Sequence, residues 1–219
     1  MRELYNYRLN ESSTAFSPTS KKELQELIHR RIKEQGPKCD LNDIDVSRIT
    51  DMSELFRESN FRGDISKWDV SNVKNMNKMF LASYFNGDIS RWNVGNVKYM
   101  SEMFRLSSFN GDISKWNVRK VIDMSHMFES SKFDGDISKW DVSNVYDMSY
   151  MFSGSVFTGY ISKWNVRNVR NMEQMFSYSK FRGDLSGWDV RNLTDLDDMF
   201  TNSPLDGRNG PRWYYDDVF

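Results

Sequence analysis

The chain offers few residues with the chemistry of a catalytic centre. Its two histidines are His29 and His126, and its one cysteine is Cys39. Catalysis requires a convergent set of titratable groups, and a nucleophile requires an activating neighbour. None of these three residues lies in a motif with such a partner, and the sequence contains no P-loop, no G-x-G-x-x-G and no zinc-ligand spacing. We therefore predict a non-enzymatic protein without a cofactor or a metal ion.

A row of aspartates is the strongest competing candidate for a ligand site. Its members are Asp64, Asp88, Asp112, Asp136 and Asp184. Stacked carboxylates could bind calcium, but calcium takes about six to eight oxygen ligands, and Tyr160 interrupts the row. The other interpretation is that each aspartate accepts hydrogen bonds from turn N–H groups and offsets a neighbouring Lys or Arg. We favour this turn role.

These aspartates belong to a 24-residue repeat that is most visible in the aromatic residues. Tryptophans recur at this step at Trp68, Trp92, Trp116, Trp140, Trp164 and Trp188. Phenylalanines keep the same step from Phe56 to Phe200, and twelve of the thirteen methionines fall in two columns of the repeat. One unit has about eight large apolar residues, which it cannot bury alone but can bury against its neighbours. We predict about seven stacked units.

Within a unit, the apolar spacing predicts a short helix, a turn and a strand-like segment. The helical face consists of Val73, Met76, Met79 and Phe80. Trp92 and Val94 alternate around a polar residue, which is typical of an extended segment. The glycine of each F-x-G, such as Gly87, predicts a turn with positive φ. The predicted fold class is an α/β repeat solenoid.

Both ends of the repeat are predicted to be covered. Ser20 and Glu23 form a capping box before an amphipathic helix, which Gly36-Pro37 ends. The open end of a stack needs such a lid. We divide the chain into an N-terminal arm (1–19), a capping helix with its lead-in (20–42), the repeats (43–207) and a C-terminal cap (208–219). Trp213, Tyr214, Tyr215 and Phe219 are predicted to cover the last unit.

Repeat columns that vary can encode recognition, because packing does not fix their residue types. The columns of Lys74 and Lys78 lie four residues apart, which would place them on one strip of the predicted helices. Aromatic residues and arginine are typical of interface hot spots. The candidate partner-binding residues of this strip are Ile122, His126, Tyr146, Tyr150 and Arg170, and a neighbouring basic stripe consists of Arg119, Arg167 and Arg191. The alternative is a solvated face with a few tyrosines.

The repeat string F-N-G-D-I-S-x-W-D-V-S-N-V-x-x-M-x-x-M-F resembles the BspA-like repeat of bacterial surface proteins and mycoplasma lipoproteins. That family is often grouped with leucine-rich repeats. The resemblance covers residues from about 40 to 207. It implies a solenoid with a binding or adhesion role, mostly outside the cell, and it brings no common catalytic residues.

The net charge and the distribution of apolar residues are compatible with several binding functions. The net charge is −1, so no global field attracts nucleic acid or an anionic membrane. The sequence has no apolar run long enough to span a membrane and no signal peptide in its first thirty residues, which is the expectation for an intracellular chain as written. We predict a module that binds a macromolecule, in the first place a protein, or a glycan. The alternatives are an intracellular inhibitor or decoy of a larger protein, and a weak nucleic-acid binder that uses the arginine stripe.

Overall fold

A computed structural model of the chain describes residues 16–215, which consist mainly of turns. The helices are α1 (Lys21–Gln35) and α2 (Arg212–Tyr215), and a 3₁₀ turn lies at Gly207–Asn209. Between α1 and that turn, the described residues contain no further helix and no named strand. Residues one repeat apart form isolated parallel bridges, such as that between Asn75 and Tyr99. The 24-residue units therefore lie side by side in parallel register.

The short helix predicted in each unit is wrong. In its place lie three consecutive turns, closed by the bonds from the Met79 amide to the Met76 carbonyl, from Leu81 to Lys78 and from Ser83 to Phe80. The third residue of the first turn, Lys78, has φ of 59°, and the third residue of the last turn, Ala82, has φ of 51°. This left-handed conformation interrupts a right-handed helix.

Hydrogen bonds between units replace those that a helix would form within one unit. The Lys78 amide donates to the Ser101 carbonyl at 2.8 Å, and the Phe80 amide donates to Met103 at 2.9 Å. Amides at alternate positions thus bind the next unit, while those between them close local turns. This arrangement satisfies buried backbone groups without regular secondary structure. The strand-like segment predicted around Trp92 forms no strand, and most of the bridges lie in the Asn75 column instead.

The core consists of equivalent side chains stacked from one unit to the next. In the unit that begins at Ile89 the buried apolar residues are Ile89, Trp92, Val94, Val97, Met100, Met103, Phe104 and Phe109. Phenylalanine rings stack almost in parallel, with centroids 5.8 Å apart for Phe104 and Phe128. The indole N–H of Trp116 donates to the Ile89 carbonyl at 3.1 Å, and the other repeat tryptophans bind in the same way. Each tryptophan therefore buries its ring without leaving its polar atom unpaired.

The glycines of the F-x-G motif do not have the predicted positive φ. Among the described residues, the positive-φ glycines are Gly36, Gly154 and Gly207, none of which lies in that motif. A Cβ built on Gly111 would lie 2.9 Å from the ring of Phe109. The motif requires glycine because the phenylalanine ring lies against its Cα, so the constraint is space and not a backbone angle.

Helical segments contact both ends of the stack. Ser20 caps α1 by accepting a hydrogen bond from the Glu23 amide at 3.2 Å, and Leu24 and Ile28 are buried in the core. At the other end, the Trp213 indole donates to the Leu185 carbonyl at 2.9 Å. Most of the predicted arm (residues 1–15) and residues 216–219, including Phe219, lie outside the described residues. Within the described part, no helix is both long and apolar enough to cross a bilayer.

Candidate functional site

The polar residues that recur in most units form hydrogen bonds with the backbone. Asp88 accepts a hydrogen bond from the Ser90 amide at 2.9 Å, and the other four aspartates of the row do the same with the residue two positions on. Hydrogen bonds from Ser90 hold the pKa of Asp88 below its usual value. The Asn96 side chain donates to the Ser71 carbonyl of the preceding unit at 2.8 Å. The predicted turn role of the aspartates is therefore observed, and these columns contribute to the fold.

Three of the candidate partner-binding residues are neighbours on one backbone ladder. The Tyr146 amide donates to the Ile122 carbonyl at 2.9 Å, and the Arg170 amide donates to the Tyr146 carbonyl at 2.9 Å. At the spacing of bridged strands, these residues follow one another at about 4.8 Å. Tyr146 is 50 % exposed. An accessible aromatic residue thus lies between an aliphatic residue and an arginine.

His126 and Tyr150 lie in a separate group of contacts. Their rings stack with centroids 4.6 Å apart and an angle of 9° between the planes. The His126 Nδ1 lies 2.6 Å from a Glu129 carboxylate oxygen, and the Tyr150 hydroxyl donates to Glu173 at 2.6 Å. The hydrogen bond to Glu173 raises the pKa of Tyr150 to about 12. Both candidate side chains therefore have intramolecular partners that hold them in place.

The same group extends over two earlier units through charged side chains. The Arg105 guanidinium donates to Glu102 at 3.1 Å and to Glu129 at 3.3 Å, and Lys78 lies 3.2 Å from Glu102. Both glutamate side chains are only 17 % exposed, which favours a closed network over a row of free charges. The sequence reasoning missed Glu102, Arg105 and Glu129. The signal that could have identified them is that opposite charges follow each other one unit apart in the same column, as in Lys78 with Glu102 and Arg105 with Glu129.

The single strip predicted from the columns of Lys74 and Lys78 assumed a helix that the described residues do not contain, so the four-residue spacing does not place them on one helical face. That these residues bind a partner stays a prediction. Side chains of the Lys78 column contact one another, as His126 does with Tyr150, and also those of flanking columns, as His126 does with Glu129. Among the contacts of the described residues, no hydrogen bond or ring contact joins Tyr146 to Tyr150. The candidates therefore form two groups: the ladder of Tyr146 and the network of Tyr150.

The predicted basic stripe lies beside aspartates. Arg119 lies 3.7 Å from Asp141, while Arg167 and Arg191 lie 4.0 Å and 2.7 Å from Asp189. The hydrogen bond from Arg191 lowers the pKa of Asp189 to about 2. These carboxylates offset the positive potential that a polyanion would require.

Comparison with known proteins identifies the family. A family model described as "Mycoplasma protein of unknown function, DUF285" matches twice, over residues 25–133 and 105–213. The two matches overlap and together span most of the chain, as repeated sequence does. No curated protein and no solved structure matches the chain. The chain is therefore a repeat protein, and it belongs to the DUF285 family of mycoplasma proteins of unknown function.

Proposed function

We propose that the chain is a non-enzymatic binding module that recognises a protein partner through non-recurring side chains of its repeats. The observation that carries this proposal is the exposure of Tyr146, at 50 %, between Ile122 and Arg170 on one ladder. The recurring residues are used by the core and the turns, so they cannot distinguish one partner from another. Tyrosine and arginine are the residue types that dominate binding energy at interfaces.

We further infer that the stacked units form a repeat solenoid of the BspA-like type. The parallel bridges at every 24-residue step and the repeated family match support this inference. A solenoid offers a long surface on which neighbouring units contribute adjacent side chains, and such surfaces serve as binding faces in other repeat proteins. A partner that contacts Tyr146 would therefore contact at least two further units.

Affinity capture from the native host, followed by measurement of the affinity of the purified partner, tests the proposal. Tyr146→Ala and Arg170→Ala are expected to weaken binding about tenfold or more each, because hot-spot truncations typically cost at least 1–2 kcal/mol. Tyr160→Ala is the matched control, since Tyr160 is 84 % exposed but lies in the aspartate row. An affinity that both ladder variants leave unchanged would contradict this placement of the site.

A further inference from the structure

One surface column places a notch between two exposed apolar side chains. The column contains Leu106, Ser130, Gly154 and Tyr178, from four consecutive units. All four have φ between 52° and 62°, so their side-chain positions leave the backbone in the same direction. Leu106 is 54 % exposed and Tyr178 is 65 % exposed, whereas the two residues between them are small.

Backbone hydrogen bonds fix the dimensions of this notch. The Ser130 amide donates to the Ser153 carbonyl and the Gly154 amide to the Ser177 carbonyl, both at 2.8 Å. Three steps at about 4.8 Å place the Leu106 and Tyr178 backbones about 14 Å apart. A Cβ built on Gly154 would lie 3.0 Å from the Ser130 hydroxyl oxygen. The floor is therefore closely packed, and its walls are apolar.

Two lysines lie beside the notch. The Lys132 amide donates to the Ser107 carbonyl at 3.4 Å, and the Lys180 amide donates to the Ser155 carbonyl at 3.2 Å, so both backbones adjoin the notch column. Both residues are exposed. Among the described residues, neither lysine forms an ion pair, in contrast to the charges around His126.

Two acidic residues, Asp134 and Glu129, lie near the notch in sequence. Asp134 accepts hydrogen bonds from the Thr158 amide at 2.7 Å and from the Thr158 hydroxyl at 3.0 Å. These hydrogen bonds leave Asp134 its single negative charge, and Glu129, which precedes Ser130, is paired with Arg105. The two lysines therefore leave the surface beside the notch with a net positive charge. A partner surface that complements it must carry carboxylates.

We propose that this notch binds a large apolar side chain, preferably aromatic, from an acidic protein segment. The side chain fills the space above Ser130 and Gly154 and packs on Tyr178, while carboxylates of the segment meet Lys132 and Lys180. The inference rests on the proposed function in assigning protein binding to the chain. It uses none of the residues of the Tyr146 ladder, so the two sites can be tested separately.

The probe for the test is a random copolymer of glutamate and tyrosine, titrated into the full chain by calorimetry, with polyglutamate as the comparison. Ser130→Leu fills the notch, and Leu106 establishes that the column accommodates leucine at nearly the same φ, 56° against 52°. We expect this variant to weaken copolymer binding about tenfold or more. Ala82→Leu makes the same kind of change in the same column outside the notch, and we expect it to leave the affinity unchanged.

The charge requirement has its own matched pair of variants. Replacing Lys132 and Lys180 together by glutamine should weaken copolymer binding and reduce its dependence on salt. Lys115 and Lys139 are exposed lysines three residues after the aspartates of their units. Replacing them together by glutamine should leave the copolymer affinity and its salt dependence unchanged. The proposal is overturned if the copolymer does not bind or if polyglutamate binds as tightly. It is also overturned if Ser130→Leu binds the copolymer like Ala82→Leu, or if the two double lysine variants bind it alike. Such a failure would leave the effect of Tyr146→Ala on partner capture intact, and so would be distinguishable from failure of the proposed function.

Discussion

Replacing Ala82 by glycine is expected to stabilise the fold, although glycine usually weakens ordered backbone. Ala82 has φ of 51°, and its amide donates to the Arg105 carbonyl of the next unit at 2.8 Å. The hydrogen bond between the units thus holds an L-residue in the left-handed region. A methyl side chain makes few contacts, so the substitution tests the backbone conformation almost alone.

The expected gain is the difference between two opposing terms. The left-handed conformation costs an L-residue about 1–2 kcal/mol, and glycine avoids that cost. Glycine loses about 0.5–1 kcal/mol more than alanine in conformational entropy on folding. The free energy of unfolding should therefore rise by about 0.5–1 kcal/mol, which corresponds to an increase of about 1–4 °C in Tm for a chain of this size.

Urea unfolding of the two proteins measures this difference, with the slope m expected to stay the same. Gly154→Ala is the reciprocal control, because Gly154 lies in the same column with φ of 62°. Its new Cβ would lie 3.0 Å from the Ser130 hydroxyl oxygen, so we expect a loss of about 1 kcal/mol or more. If Ala82→Gly is as destabilising as glycine is in an ordinary helix or strand, the assigned left-handed turns are refuted.

Three further predictions address the core, the aspartates and the network. Phe128→Ala should lower the free energy of unfolding by about 3–5 kcal/mol, because this buried ring stacks on its equivalents in both neighbouring units; a loss below about 1 kcal/mol in urea unfolding would contradict the stack. The lowered pKa of Asp88 means that its carboxylate stabilises the fold above the unfolded pKa of about 4, and that this contribution is lost as the pH falls through the folded value. Asp88→Asn keeps a hydrogen-bond acceptor but cannot titrate. The urea midpoint should therefore decrease less between about pH 7 and about pH 3 for the variant than for the wild type. Glu173→Gln should return the pKa of Tyr150 from about 12 towards 10, as followed by NMR titration of ring-labelled tyrosine; an unchanged pKa would contradict the hydrogen bond between them.

The candidate site illustrates what residue types alone can and cannot identify. The variable columns pointed to Tyr146 and Tyr150 together, and both lie at positions where the side chain leaves the core. Their environments differ because Tyr150 finds Glu173 one unit away, whereas Tyr146 remains half exposed. Contacts between units depend on which columns face each other in space. The residue types within a column do not reveal which other column it contacts.

The sequence by itself determined the 24-residue period, the stacking of the units and the membership of the core. An apolar residue that recurs at one position must be buried in every unit, and Trp116 or Phe104 obeys this rule whatever path the backbone follows. Only the tertiary structure decided that path. The spacing of Val73, Met76 and Phe80 fits a helix as well as it fits consecutive turns, because both bring the same side chains to one side. The turns form because the amides find carbonyl acceptors in the next unit, and such acceptors exist only once the units have stacked.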